Sequence, residues 1–378
     1  MINILFAGDF CPLDRVAGLI EQGEYKIIFD QVKEEIEKVD YAIVNLEAPI
    51  VNGQVTPIEK CGPNLCCTEN AIDALQYAGF DCVTLANNHF RDYGEEGALF
   101  TISKLLTHGV DYVGAGRNLN EAAQTFYKEI NGKRFAFINC CEHEYSIATN
   151  KKAGSNPLNP IQQYYAITEA KNKADYVLVI VHGGIELYQL PTPRMVKTYH
   201  FFIDSGADAI INHHQHCISG SELYKGKPII YGLGNFCFDR ANRRNSIWNE
   251  GYMVKFSFKD GNINFMRIPY TQCNDAATII PLRTEEEMKF NQTINRLESI
   301  IIDPKSLANE YESFLINSDR NFKNIISPYS NRYLSALYVR GFLPGFMSRK
   351  KWLSLQGSLI CESHYERFIH MINGKLQA

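Results

Sequence analysis

The sequence predicts an α/β protein with a helical C-terminal extension, and two observations carry this prediction. From residue 1 to residue 283, short apolar runs of strand length alternate with segments that have helical spacing. From Thr284 onward, the strand signals stop and helical segments follow one another. We therefore expect one domain over residues 1–283 and a helical extension over residues 284–378.

The strand signals are apolar runs that end in glycine or in polar residues. The run at residues 175–181, Asp-Tyr-Val-Leu-Val-Ile-Val, is typical of a strand that is buried on both faces. Residues 253–268 predict a hairpin that turns at residues 259–262, where Asp-Gly occupies the central positions. Further strands are predicted at residues 2–7, 41–46, 81–85, 135–139, 207–211 and 228–231.

Helical segments lie between these strands, and glycine follows several of them. Gly79, Gly109 and Gly206 stand where helices are expected to end, because glycine readily adopts the left-handed conformation of a C-terminal cap. Thr68 is the expected N-cap of the helix that Gly79 ends. The predicted helices cover residues 29–39, 68–77, 94–107, 161–174 and 193–205, followed by 285–301, 305–316 and 333–338 in the extension.

The overall charge argues against nucleic acid or an anionic membrane as a partner. The formal net charge is −4 at pH 7, and no long run of one sign occurs. No stretch has the apolar length of a transmembrane helix, and the first apolar run is too short for a signal peptide. We therefore expect a soluble, cytoplasmic protein.

The 11 cysteines are odd in number and irregular in spacing. Many lie in apolar runs, which favours free, buried thiols in a reducing compartment. A zinc site at Cys61, Cys66 and Cys67 is the alternative, although these residues lack the paired spacing of a zinc motif.

Polar residues that are able to bind metal stand at the ends of successive predicted strands. In open α/β sheets, ligands bind at the carboxyl ends of the strands, so these side chains are expected to converge. The segment His214-Gln-His216 is expected to be extended, which would put both imidazoles on the same side. Mixed nitrogen and oxygen donors suit zinc, manganese or iron better than calcium. The candidate ligands are Asp9, Glu47, Asn88, His182, His214 and His216.

Each of these residues alone also has a structural explanation. Asp9 and Asn88 belong to residue types that are common in turns. His182, which precedes two glycines, is compatible with a buried, hydrogen-bonded histidine. The imidazole cluster at residues 213–216 is harder to explain without a metal. The prediction of a metal centre therefore rests on the joint occurrence of these residues at strand ends.

Several motifs follow one another in a characteristic order between residues 1 and 239. They are Gly8-Asp9, Asn45-Leu46-Glu47-Ala48-Pro49, Ala86-Asn87-Asn88-His89 with Asp92 and Gly94, His182-Gly183-Gly184-Ile185-Glu186, Asn212-His213-His214-Gln215-His216 and Gly232-Leu233-Gly234-Asn235-Phe236. Their order and spacing resemble those of the CapA family, the poly-γ-glutamate capsule biosynthesis proteins. That family is similar to calcineurin-like metallophosphoesterases. The resemblance implies a four-layered α/β/β/α sandwich with a two-metal centre.

The resemblance also implies which candidate ligands share a metal. The implied ligands are Asp9, Glu47 and His216 for the first metal, and Glu47, Asn88, His182 and His214 for the second. Glu47 would thus bridge both metals. The first motif departs from the usual Asp-x-His of metallophosphoesterases, because the matching residues here are Asp9-Phe10-Cys11. Cys11 is either a thiolate ligand or a buried apolar residue.

Three further residues are predicted to act without binding metal. His89 is expected to lie near the substrate, where it would protonate the leaving group or orient the transferred group. Asp92 would hold the imidazole of His89, or it caps the helix that starts near Gly94. Glu186 would support the centre or contact a substrate amine, or it is a solvated surface carboxylate.

Three functions stay open at this point. The first is a metal-dependent hydrolase that acts on a small phosphoester or an amide. The second is a capsule or exopolymer assembly factor that binds or transfers an anionic polymer and works with capsule-synthesis proteins. The third is a catalytically inactive scaffold. The first two require one or two divalent transition metals per chain.

Overall fold

The structure is a computed structural model that describes residues 1–60, 62–325, 327–329, 331–360 and 372. The chain divides into two compact units, Met1–Ala308 and Asn309–Ala378. The helix at Thr284–Ile301 belongs to the first unit and buries Phe290 and Ile294 in its core. The domain boundary that the sequence suggests after residue 283 stays a prediction.

The first unit contains two large β-sheets and most of the helices. Its strands are β1 (Ile2–Phe10), β2 (Tyr41–Leu46), β3 (Cys82–Thr84), β4 (Asp111–Val113), β5 (Ala115–Gly116), β6 (Phe126–Ile130), β7 (Lys133–Cys141), β8 (Gly154–Ser155), β9 (Tyr176–His182), β10 (Ala209–His213), β11 (Ser221–Tyr224), β12 (Lys227–Ile230), β13 (Asn235–Cys237), β14 (Glu250–Lys259), β15 (Asn262–Gln272) and β16 (Ile279–Pro281).

The helices alternate with these strands and then continue alone, as the sequence predicts. Those of the first unit are α1 (Asp14–Glu21), α2 (Tyr25–Glu37), α3 (Asn70–Ala78), α4 (Gly94–His108), α5 (Leu119–Ala122), α6 (Pro160–Lys171), α7 (Pro193–Asp204) and α8 (Thr284–Ile301). Helix α9 (Pro304–Ile325) begins in the first unit, and α10 (Arg332–Val339) and α11 (Arg349–Ile360) belong to the second. Among the described residues, no helix combines the length and the apolar character that a bilayer span needs.

Both sheets have a parallel centre. In the first sheet the order is β16-β15-β14-β1-β2-β3-β4, with β13 also pairing with β1. Strands β1 to β4 are parallel, and β14 to β16 add antiparallel strands. In the second sheet the order is β11-β12-β10-β9-β7-β6, and the four inner strands are parallel. The carboxyl ends of β1, β2, β9 and β10 supply the candidate site, as the strand-end rule requires.

Three hydrophobic cores show how the layers stack. The core between the two sheets contains Phe6 and Ile43 from the first sheet and Phe137 and Ile180 from the second. A second core packs helices α2, α3 and α4 on the outer face of the first sheet. A third packs α6 and α7 on the outer face of the second sheet. The predicted four-layered α/β/β/α architecture is therefore confirmed.

The local signals were accurate at most helix and hairpin ends. Gly79 and Gly109 end α3 and α4 in the left-handed conformation, with φ of 96° and 68°. The hairpin of β14 and β15 turns at Asp260 and Gly261, where both φ angles are positive, as a type I′ turn requires. The predicted cap at Thr68 is wrong, because α3 begins at Asn70 and Glu69 occupies the N-cap without a side-chain bond.

Candidate metal centre

Six polar side chains meet where strands of the two sheets end. Asp9 is near the end of β1, Glu47 follows β2, and His182 is the last residue of β9. His214 and His216 follow β10. All of these residues are buried, as is Asn88 in the loop after β3. The structure therefore brings together all the residues that the sequence singles out as metal ligands.

Two groups of potential ligand atoms overlap at Glu47. One group is Glu47, His182 and His214, and the other is Asp9, Glu47 and His216. Within each group the ligand atoms lie within 4.8 Å of one another. Nε2 of His182 and Nε2 of His216 lie 3.5 Å and 3.6 Å from the same oxygen of Glu47. A carboxylate between two imidazoles is the arrangement expected of a residue that bridges two cations.

Asn88 and His214 extend the second group. Oδ1 of Asn88 lies 3.0 Å from Nε2 of His182, and Nδ1 of His214 lies 3.1 Å from the same nitrogen. Burial, followed by the charge of His216, lowers the pKa of His214 to about 4. Burial also lowers the pKa of His182 well below its ordinary value. The imidazoles of His182 and His214 are thus expected to be neutral near pH 7, which is the form that binds metal.

The environment of Glu47 tests whether these residues fit a metal. Its side chain is 0% exposed, and neither carboxylate oxygen has a hydrogen-bond partner among the described residues. Burial and the neighbouring charge of Asp9 raise the pKa of Glu47 well above its ordinary value. A buried carboxylate without donors is costly, and a divalent cation removes that cost. The donor set therefore fits a pair of divalent metals.

Neighbouring amides fix the orientation of the acidic and imidazole groups. Asn45 donates a hydrogen bond of 2.7 Å to Oδ1 of Asp9, and the backbone N–H of His214 donates one of 3.2 Å to Oδ2. Oδ1 of Asn235 lies 2.9 Å from Nδ1 of His216. If Nδ1 donates to Asn235, then Nε2, which faces Glu47, keeps its lone pair.

The charge state of Asp9 follows from competing effects. Burial alone would raise its pKa, but the hydrogen bond with His216 and the charge that His182 carries when protonated outweigh burial. The pKa of Asp9 is therefore held below its ordinary value. An ionised Asp9 supplies the negative charge that a cation beside His216 needs.

The expectation of an extended segment at His214-Gln215-His216 is wrong. Strand β10 ends at His213, and φ is +92° at His214 and +53° at His216. Residues other than glycine rarely adopt these angles, which occur in turns and are enriched at functional sites. Gln215 stabilises the turn, because its Nε2 donates to the carbonyl oxygens of Tyr188 and Leu190. The turn, and not an extended strand, brings both imidazoles to the same centre.

The structure favours one of the two interpretations of Cys11. Its side chain is 0% exposed within the core on the helix side of the first sheet, and it belongs to neither ligand group among the described residues. Burial raises the pKa of its thiol well above the ordinary value. Cys11 therefore resembles a buried apolar residue. Of the alternative zinc site, Cys61 lies outside the described residues, and Cys67 is a buried free thiol.

His89, Asp92 and Lys60 form a hydrogen-bonded cluster beside the ligands. Nδ1 of His89 lies 2.6 Å from Oδ2 of Asp92, and Lys60 donates to Oδ1 of the same carboxylate. Asp92 also accepts from the backbone N–H of Leu65, and it makes no cap bond to α4. Burial lowers the pKa of His89, and Asp92 opposes this effect. Within the described part of the chain, Nε2 of His89 has no hydrogen-bond partner.

Glutamates surround the side of the centre that His214 occupies. Glu186 is exposed, and its charge acts on the pKa values of Glu47 and His214. Oε1 of Glu144 lies 4.0 Å from Nε2 of His214, and its other oxygen accepts a hydrogen bond of 3.4 Å from Asn88. Glu144 and Lys60 were not predicted from the sequence, because each lies in a loop and reaches the site only through the fold. Asn45 was predictable, since it is the next-to-last residue of β2 and lies two residues before Glu47.

Comparison with known families identifies the chain. The model of the family "Bacterial capsule synthesis protein PGA_cap" matches residues 3–240. This chain belongs to that family. The matched residues include both ligand groups and the cluster around His89. The predicted family is confirmed.

Two proteins named for capsule or PGA biosynthesis are similar to this chain over about two thirds of its length. The capsule biosynthesis protein CapA of Bacillus anthracis is 31% identical over 267 residues, which cover 68% of this chain and 64% of that protein. The PGA biosynthesis protein CapA of Bacillus subtilis strain 168 is 30% identical over 244 residues, which cover 64% of each chain. The matched region thus spans less than two thirds of the length of either relative.

A solved structure with a similar arrangement is that of a novel phosphatase from Mycoplasma pneumoniae. The two chains align with a TM-score of 0.45 and 17% sequence identity. The alignment covers 72% of this chain and 95% of the phosphatase.

Proposed function

We propose that this member of the capsule synthesis family is a two-metal hydrolase or transferase that acts on γ-glutamyl amide bonds of an acidic polymer. The observation that carries the proposal is the buried Glu47 carboxylate, which has no hydrogen-bond donor and lies between the two ligand groups. A purely structural glutamate at this place would be hydrogen-bonded, as the large majority of buried polar side chains are.

The metals fitting this centre are zinc, manganese or iron, because its donors combine imidazole nitrogen with carboxylate oxygen. The proposed ligands are Asp9, Glu47 and His216 for one metal, and Glu47, Asn88, His182 and His214 for the other. When bound, a pair of divalent metals supplies Lewis acidity and an activated water to hydrolytic chemistry.

Residues of the chain itself would supply proton exchange, orientation and substrate contact. Asp92 accepts from Nδ1 of His89 and so fixes the imidazole with Nε2 as the free nitrogen. His89 would then exchange a proton with the leaving group through Nε2, or orient the transferred group. Lys60 holds the other oxygen of Asp92 and completes this support. Glu186 would contact a substrate amine at the exposed edge of the centre.

The proposed substrate follows from the names of the relatives. Both Bacillus proteins are named for capsule or PGA biosynthesis, and an acidic polymer with γ-glutamyl bonds is the substrate class that these names suggest for this chain. Other capsule-synthesis proteins are the proposed partners. The cytoplasmic location suggested by the sequence remains part of this proposal.

A substrate panel on the metal-loaded protein tests the proposal. Short γ-linked glutamate oligomers should be cleaved, or transferred to an added amine, when the protein is loaded with zinc, manganese or iron. A phosphate monoester and a phosphodiester are the competing substrates. Turnover of the phosphoesters alone would overturn the γ-glutamyl assignment, and metal binding without any turnover would favour the scaffold.

A matched pair of histidine variants separates the centre from general effects on folding. His182→Ala should abolish turnover and reduce the metal content, because it removes a ligand from the second group. His200→Ala is the control, since His200 pairs with Glu222 at 2.7 Å outside the centre. Equal losses in both variants would show that the activity does not depend on the proposed ligands.

A further inference from the structure

An aromatic wall borders the side of the centre that His216 occupies. The ring of Trp248 lies 4.6 Å from the His216 ring, and the ring of Phe238 lies 5.4 Å from it. The two aromatic rings contact each other at 4.8 Å. Both are almost completely buried, at 2% and 1% exposure. Groups that cover this wall therefore lie close to the proposed ligand His216.

Two arginines lie over this wall. The guanidinium of Arg240 is 5.2 Å from the centroid of Phe238 and 5.8 Å from that of Trp248. The guanidinium of Arg243 is 5.7 Å from Trp248. Both arginines are half-buried. A guanidinium held over an aromatic ring keeps its N–H groups free to bind planar oxyanions at their edge.

Neither of these arginines has an acidic partner within the described residues. The nearby Asp239 is occupied by Arg15, through bonds of 2.8 Å and 2.9 Å, and by Arg244 at 3.3 Å. Asp14 accepts from the backbone N–H of Ala241. The Nε of Arg243 is buried and has no hydrogen-bond partner in the described part of the chain. Two positive charges are therefore available for an external anion.

The charged residues differ between the His214 side and the His216 side of the centre. Glu144 lies on the side of His214, where its Oε1 is 4.0 Å from Nε2 of His214 and its other oxygen accepts a hydrogen bond of 3.4 Å from Asn88. A polyanion is repelled from the glutamate side and attracted to the arginine side, because charged rims steer charged ligands.

We propose that Arg240 and Arg243 form a carboxylate-binding site for an acidic polymer, next to the Asp9, Glu47 and His216 group. The choice of a carboxylate over a phosphate rests on the substrate class of the proposed function, since guanidinium groups bind both oxyanions. Arg240 directly precedes a short 3₁₀ turn and Arg243 is its last residue, so the two arginines present adjacent positive groups to successive carboxylates. The site positions the polymer and takes no part in bond cleavage.

The fluorescence emission of Trp248 is the proposed probe of binding. The chain has 2 tryptophans, so Trp352→Phe leaves Trp248 as the only tryptophan. Binding of a short γ-linked glutamate oligomer to this metal-loaded variant should change the Trp248 emission. Adding Arg240→Gln and Arg243→Gln should weaken binding about tenfold or more, because charge-assisted hydrogen bonds are lost. Arg134→Gln is the control, since Arg134 stacks on Tyr127 away from the centre.

The outcomes separate this inference from the proposed function. Metal content and thermal unfolding are measured on every variant, and both should be unchanged in the double glutamine variant. Weaker oligomer binding in that variant supports the site even if the wild-type protein cleaves nothing. Unchanged oligomer binding in the double variant overturns the inference even if cleavage occurs. Inorganic phosphate that binds more tightly than the oligomer, with the same dependence on the arginines, overturns the carboxylate assignment.

Discussion

At the scale of single residues, the buried carboxylate of Glu47 organises the candidate metal centre. Histidines approach it from two sides, and Asp9 lies beside His216 at 3.4 Å. The positive φ angles of His214 and His216 are a further sign of function, because the fold maintains them despite their energetic cost. Cation binding explains the buried carboxylate and the two positive φ angles more simply than a purely structural role does.

The cluster around His89 gives the first prediction at this scale. His89→Ala should keep the metal content and lower turnover by roughly 10²–10⁴-fold, because it removes a proton-transfer group and not a ligand. Asp92→Asn should give a smaller loss, since the imidazole remains but its orientation is less constrained. Turnover is measured together with elemental analysis. Loss of metal in His89→Ala would make His89 a ligand.

The unequal ligand groups give a second prediction. The group of Glu47, Asn88, His182 and His214 offers more donors than the group of Asp9, Glu47 and His216, so it should bind metal more tightly. Titration of the apo protein should show two unequal affinities, and Asp9→Ala should remove only the weaker event. Cys11→Ala should change little. Equal affinities, or a large loss of metal in Cys11→Ala, would contradict this assignment.

The residues of the site illustrate what a sequence is able to reveal. The convergence of the candidate ligands was predictable because most of them lie at or just after the end of an apolar strand, and strand ends converge in this class of fold. The sharp turn at His214 was not, since its residue types give no sign of left-handed backbone. Lys60 was not predictable because it contacts Asp92, which is 32 residues away in the chain, and no local pattern indicates that contact.

At the scale of secondary-structure elements, Asn212 joins three strand ends. Its Nδ2 lies 2.9 Å from the carbonyl oxygen of Gly183, which follows β9, and 3.0 Å from that of Tyr231, which follows β12. Its Oδ1 accepts a hydrogen bond of 2.6 Å from Tyr199 of α7. This network holds the end of β10, where the turn to His214 and His216 begins.

Asn212→Ala is therefore predicted to affect both stability and the site. It leaves buried carbonyl and hydroxyl groups without partners, which should cost about 2–4 kcal/mol of unfolding free energy. Metal affinity should fall as well, because the turn after β10 loses its support. Chemical denaturation with and without metal measures both effects. An Asn212→Ala protein with wild-type stability and metal affinity would show that the network is dispensable.

The elements also show where local signals were sufficient. Strand β9 and the β14–β15 hairpin were predictable, because an apolar run and an Asp-Gly turn are strong local signals. Helix α1 and strand β11 were not predicted, since each is short and exposes several of its side chains. Thr68 was misplaced as a cap because residue type alone does not show whether a side chain reaches the first turn.

At the scale of the whole molecule, the candidate site lies entirely within the first compact unit. Residues Met1–Ala308 contain both ligand groups, the His89 cluster and the arginines over Trp248. The family match ends at residue 240 and therefore also lies within this unit. The layers were predictable only through the family resemblance, because alternation of strands and helices does not distinguish one sheet from two.

Truncation tests both the independence of this unit and the boundary predicted from the sequence. A protein ending at Ala308 should fold and keep its metal. A protein ending at residue 283 should unfold at a lower temperature, because it loses Phe290, Ile294 and Leu297, which are buried in the first unit. Equal stability of both truncations would support a boundary at residue 283. Loss of metal on removing residues 309–378 would contradict an independent site.

The most direct measurement is the metal content of the wild-type protein and of Glu47→Gln, determined by elemental analysis after purification without chelator. We predict about one or two transition metals per wild-type chain and a large loss in Glu47→Gln, since the shared carboxylate holds both positions. Glu222→Gln, which alters a glutamate bonded to His200 outside the centre, should keep the wild-type content. A wild-type protein that holds no metal, and takes up none when zinc, manganese or iron is added, would contradict the account.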